Sequence, residues 1–113
     1  MNKIIVIAGA SGSGKSAIAQ EYCERVKNAE IICADSITVY RGFDIGSAKA
    51  SKVEQALVPH HLLDICHPEE NFTAADFVRL TRPIISRLHQ EKKIPVIVGG
   101  TGFYLRALLQ GMT

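Results

Sequence analysis

Gly9 to Ser16 read GASGSGKS, a glycine-rich run closing on lysine and serine. The run fits G-x-x-x-x-G-K-[ST], in which backbone amides turn inward around phosphate oxygens. Gly9, Gly12 and Gly14 allow that close approach, and Ala10, Ser11 and Ser13 complete the cradle. Lys15 adds the one charged donor, and the Ser16 hydroxyl is placed to ligate Mg²⁺. The pattern alone does not separate an ATPase, a kinase and an enzyme holding some other diphosphate. Its bland alternative is a turn that binds nothing.

Two further stretches carry reactive groups. In ADSITVYRGFDIGSAK, Asp35 and Ser36 directly follow an apolar run. In open parallel sheets ligands bind outside the carboxyl ends of strands, so both are expected at the mouth of a site. Asp35 could accept a proton or hold Mg²⁺ indirectly, or it could simply cap a short helix. In VIVGGTGFYLRALL, glycines again end an apolar run and Thr101 follows, as a ligand contact or only an N-cap. The run IPVIVGG lacks the aspartate with which a Walker B strand ends.

These groups need strands and helices to hold them. KIIVIAG (Lys3 to Gly9), AEIICAD and KIPVIVGG are apolar, β-branched runs that suit strands buried on both faces, and HLLDI is a shorter one. A helix is predicted from about Gly14 to Lys27, burying Ile18, Tyr22 and Val26 with Ala19 and Cys23 beside them. Thr73 is the expected N-cap of another, with Asp76 three residues on as a weaker version of the capping box. That helix buries Phe77, Thr81, Ile84, Ile85 and Leu88, and a kink is expected at Pro83. GFYLRALLQG closes the chain as a helix stopped by Gly111. Strands alternating with helices predict a parallel α/β sheet.

Composition bounds the function. The 113 residues make one domain, 1–113, and 47% hydrophobic with 21% charged residues is ordinary for a globular protein. A net charge of +2 does not by itself argue for nucleic acid. Cys23, Cys33 and Cys66 lack metal spacing and cannot all pair, so they are expected as reduced thiols in a cytoplasmic protein. The start is too short in apolar length for a signal peptide and leads straight into the loop, and no run is long enough for a membrane. His60 and His61 would point to opposite faces of a strand, a poor metal pair. His67 and His89 are expected at the surface, HQEKK as a solvated helix end, and Arg41, Lys49 and Lys52 as solvated bases or RNA-backbone contacts.

GASGSGKS, ADSITVYRGFDIGSAK, HHLLDI, TAADF and VGGTGFYLRALL stand in the order found in tRNA dimethylallyltransferases (tRNA isopentenyltransferases), which the chain resembles over nearly its whole length. Ala10, Ser47 and Ala50 depart mildly from that pattern, leaving the reactive groups in place. The resemblance covers an N-terminal portion only. It implies a truncated P-loop NTPase-like three-layer fold with a parallel sheet, holding Mg²⁺ and dimethylallyl diphosphate rather than ATP. It further implies transfer of the prenyl group to the exocyclic amine of an adenosine beside the tRNA anticodon. Lys15 and Ser16 with Mg²⁺ would neutralise the departing diphosphate, Asp35 would be the general base, and Thr101 would lie near the breaking bond. Asp35, Ser36, Ile37, Thr38 and Thr101 would touch the extruded adenosine of the anticodon arm. The chain alone is expected to be nearly inactive, since the family's later, tRNA-gripping segments are missing. Strands from that missing part would flank the first strand, so Ile4 to Ile7 are expected as an open apolar edge prone to fragment dimerisation. A small-molecule or nucleotide kinase is the alternative, but it would need a lid bearing arginines, for which the chain has no clear candidate.

Overall fold

A computed structural model describes residues 3–9, 14–34, 50–63, 71–99 and 106–108. Its elements are β1 (Ile5–Ala8), α1 (Lys15–Val26), β2 (Ala29–Ala34), α2 (Lys52–Leu57), β3 (His60–His61), α3 (Ala74–Gln90) and β4 (Ile94–Gly99). The strands form one parallel sheet in the order β1-β4-β2-β3.

The apolar runs of β2 and β4 occupy the centre of that sheet, which is why they need be apolar on both faces. Their side chains alternate as the two-residue strand period requires. Ile31, Val96 and Val98 join Ala19, Cys23 and Ala29 under α1, whereas Ile32, Ala34 and Ile97 join Phe77, Ile85 and Leu88 under α3. Helices on opposite faces of a parallel sheet make the three-layer α/β arrangement expected of a P-loop NTPase-like fold.

The helix over Gly14 to Lys27 forms with nearly those bounds, but a neighbouring stripe faces the sheet. Lys15, Ala19, Gln20 and Cys23 are buried, while Ile18 is 58% and Val26 38% exposed. Small Ala19 and Cys23 let the helix axis lie close over Ala29, Val96 and Val98. Burial pushes the Cys23 thiol up to about 11, which leaves it an inert core group.

At α3 the capping box is complete: Thr73 Oγ1 accepts from the Asp76 amide at 3.1 Å, and Asp76 Oδ2 accepts from the Thr73 amide at 2.9 Å. Phe77, Thr81, Ile85 and Leu88 form the buried face, with Ile84 partly buried beside them. The helix continues through Pro83, which is exposed like Arg79, so water can serve the carbonyl that proline leaves. Ser51 and Glu54 form a second capping box on α2, a helix not anticipated from sequence.

Two further expectations need correction. β1 is not buried on both faces: it pairs with β4 alone among the described residues, and Val6 is 38% exposed. The strand expected in HLLDI begins one residue earlier and covers only His60–His61, because Leu62 turns to φ 65 and tucks its side chain into the core. Arg106 to Leu108 are helical, within the expected closing helix, and Leu108 is fully buried.

Candidate phosphate-binding site

Three of the sheet's carboxyl ends lead into the three reactive stretches. β1 runs into Gly9, β2 ends at Ala34 immediately before Asp35, and β4 ends at Gly99 two residues before Thr101. Ala8 and Ala34 both lie opposite Gly99 in register, so these ends are adjacent. The Gly9 amide donates to the Gly99 carbonyl at 3.2 Å, which ties the start of the glycine loop to the central strand.

At the other end of the loop, Gly14 is the N-cap of α1 in the left-handed conformation, φ 83. A Cβ there would meet nothing within 4 Å, so glycine is required by the backbone angle and not by space. Among the described residues no side chain caps this helix, and its first turn holds no acid. By contrast, α2 and α3 both begin in full capping boxes. The positive dipole end of α1 therefore favours an anion at this helix start. Lys15 opens the helix and is 9% exposed, and Ser16 follows on the exposed side. A carboxylate in that first turn would oppose a phosphate; a lysine and a hydroxyl favour one.

Of the expected site residues, Gly9, Gly14, Lys15 and Ser16 stand at this carboxyl edge. Ala10 to Ser13, Asp35, Ser36, Ile37, Thr38 and Thr101 lie outside the described residues, as do Arg41, Lys49, Cys66 and His67. Lys52 is exposed at the start of α2. An open depression of about 440 Å³ between α1 and α2 is lined by Glu21, Glu24 and Glu54 beside Arg25, an acidic rim that disfavours a phosphate ligand.

A charged cluster that sequence reasoning missed lies at the opposite, amino end of the sheet. The Glu30 carboxylate, only 7% exposed, accepts from His61 Nε2 at 2.7 Å, Lys93 Nζ at 2.9 Å and Arg87 at 3.4 Å. Lys93 is therefore a tie to a buried acid and not merely part of a solvated helix end. His60 turns elsewhere, donating Nδ1–H to the Val58 carbonyl at 2.7 Å, and burial holds its pKa below the ordinary value. His89 donates to the Lys3 carbonyl at 2.9 Å from a half-buried position. No helix among the described residues is long and apolar enough to cross a membrane.

The comparisons with known proteins agree with one another. The chain is 54% identical over 110 residues to tRNA dimethylallyltransferase 1 of Trichlorobacter lovleyi, covering 97% of the chain and 36% of that protein. It is 50% identical to the tRNA dimethylallyltransferase of Leuconostoc citreum, covering 96% of the chain and 37% of that protein. The crystal structure of the full-length tRNA isopentenylpyrophosphate transferase of Bacillus halodurans superposes with a TM-score of 0.90 at 41% identity, over 98% of the chain and 36% of that structure. A eukaryotic dimethylallyltransferase acting on tRNA gives 0.87 at 34% identity, over 96% of the chain and 27% of that structure. The chain thus spans about a third of the length of the curated relatives it matches. The family described as IPP transferase matches residues 38–113, well over half of the sequence, and the chain belongs to that family.

Proposed function

We propose that the chain supplies the diphosphate-holding part of a cytoplasmic tRNA dimethylallyltransferase. The observation that carries this is the α1 entry: a left-handed Gly14, no side-chain cap among the described residues, no first-turn acid, then Lys15 and Ser16. It is joined by the family membership and by relatives named for dimethylallyl transfer to tRNA.

In this reading the loop from Gly9 to Ser16 wraps the diphosphate of dimethylallyl diphosphate, and Lys15 holds the charge that grows on it. An exposed hydroxyl beside that lysine suits a Mg²⁺–diphosphate pair, so Ser16 is the residue that would hold the ion. Mg²⁺ would supply additional positive charge to the leaving group. The adenosine N6 forms a bond to the prenyl carbon as the carbon–oxygen bond breaks, diphosphate departs, and Asp35 takes the N6 proton. Ser36, Ile37, Thr38 and Thr101 contact the adenosine drawn out of the anticodon arm.

The decisive assay is prenylation of an anticodon stem-loop by an enzyme of full family length built on this chain. Calorimetry on the chain itself separates the ligands. Dimethylallyl diphosphate with Mg²⁺ is expected to bind more tightly than ATP. Lys15→Ala is expected to weaken it by roughly 10–100-fold, the usual worth of a charged hydrogen bond. ATP bound far more tightly than the prenyl diphosphate would instead favour a kinase.

The chain alone is also expected to self-associate along β1. The outer side of β1 has no strand partner among the described residues, and Val6, Ile18 and Val26 are exposed apolar side chains. Such an edge is a template for pairing with a second copy. Light scattering behind a sizing column is expected to show dimers or larger species. A stable monomer at high concentration, with slowly exchanging β1 amides, would overturn this.

A further inference from the structure

We propose that Gly99 is a positioning residue for the transfer reaction, separately supporting the phosphate side and the acceptor side of the site. The inference rests on the function proposed above. Gly99 ends the central strand β4, with Ala8 opposite it on one neighbour and Ala34 on the other. Toward β1 its carbonyl accepts the Gly9 amide at 3.2 Å, which holds the first residue of the glycine loop. Toward β2 it is the missing side chain that matters. A Cβ at Gly99 would stand 2.8 Å from both the carbonyl carbon and the Cβ of Ala34, and closer still to the Ala34 carbonyl oxygen. Real Cβ atoms essentially never come within 3.0 Å of such neighbours. The only positive-φ glycine among the described residues is Gly14, so Gly99 is required by space and not by its backbone angle.

The obstacle is backbone and cannot rotate away. Any side chain at 99 must therefore drive the carboxyl ends of β2 and β4 apart. Those ends continue directly into Asp35 and into Gly100–Thr101. The carbonyl that anchors Gly9 belongs to the other side of the strand, so the phosphate loop need not move with them. Widening that gap by one methyl group is a displacement on the order of 1 Å, enough to misplace a base relative to its proton.

The test uses Gly99→Ala in an enzyme of full family length built on this chain. The KM for dimethylallyl diphosphate is expected to stay within about threefold, while kcat falls about 100-fold. Unchanged kcat in a folded variant overturns the proposal, as does a loss of kcat and affinity that only follows the folded fraction. Amide-resolved NMR of this chain gives a readout independent of activity: Gly99→Ala is expected to shift the Asp35 amide while the Gly9 amide keeps its protection from exchange. The reverse pattern overturns the proposal. If Gly99→Ala does not fold, the wild-type chain decides, since a Gly9 amide exchanging as fast as that of exposed Ser16 overturns the anchor. A wild-type enzyme without transfer activity would refute the function proposed above, and the amide pattern would still decide the role of Gly99.

Discussion

Asp35→Asn slows prenyl transfer by roughly 10²–10⁴-fold and leaves diphosphate affinity nearly unchanged, the expected result for loss of a positioned general base. The exocyclic amine of adenine is a weak nucleophile whose proton must leave as the new bond forms. Asparagine keeps the size and one acceptor oxygen of aspartate but cannot take that proton. Asp35 follows the last residue of β2, which lies beside Gly99 and one strand away from the start of the glycine loop. In the proposed function the phosphate contacts belong to the loop and to α1, so binding and chemistry should separate. Single-turnover kinetics with saturating prenyl diphosphate measures this directly. A near-normal rate in the asparagine variant would exclude Asp35 as the base.

Where burial is symmetrical, the sequence is easy to read. β2 and β4 sit inside the sheet, and IPVIVG and, apart from Glu30, AEIICA are apolar for that reason. α3 was legible because a capping box and a strong helical period mark both its start and its inner face. α1 shows the limit of periodicity. Ile18, Tyr22 and Val26 repeat as regularly as Lys15, Ala19 and Cys23, and hydropathy favours the first set. The second is the one buried, since a close helix–sheet contact selects small side chains over large ones. β3 has two residues and α2 six, too short for any period, although Ser51 and Glu54 carry the capping signature of α2. The phosphate chemistry proposed for the glycine loop is read from a pattern local in sequence, Gly9 to Ser16. Gly99 was not singled out, because the atoms that forbid it a side chain belong to Ala34, which only sheet pairing brings alongside. The Glu30 cluster joins residues 31, 57 and 63 positions apart, and nothing local announces it.

That cluster governs the second large effect. Glu30→Ala is expected to cost about 2 kcal/mol of stability, because it strands three donors around a buried site; their own exposure keeps the loss below that of a fully buried pair. In a domain of this size the melting temperature would fall by about 10 °C. The pH dependence has a definite sign. Burial raises the Glu30 pKa, but the hydrogen bonds from His61 and Lys93 and the charge of Lys93 outweigh it, so the net value lies below the ordinary glutamate range. A carboxylate depressed in the folded state contributes stability above its unfolded pKa of about 4.3 and loses it as pH falls through the folded value. Glu91 is also depressed, chiefly by its hydrogen bond from Arg87, and Asp76 by the Thr73 amide, so wild-type acid lability alone would not isolate Glu30. The difference between wild type and Glu30→Gln does isolate it. Glutamine still accepts hydrogen bonds but has no charge to lose, so the variant is less stable at pH 7 and the gap closes toward pH 3.5. Thermal melts at those two pH values test this, and a gap that stays constant or widens in acid would show that the Glu30 charge is not what holds β2, β3 and the end of α3 together.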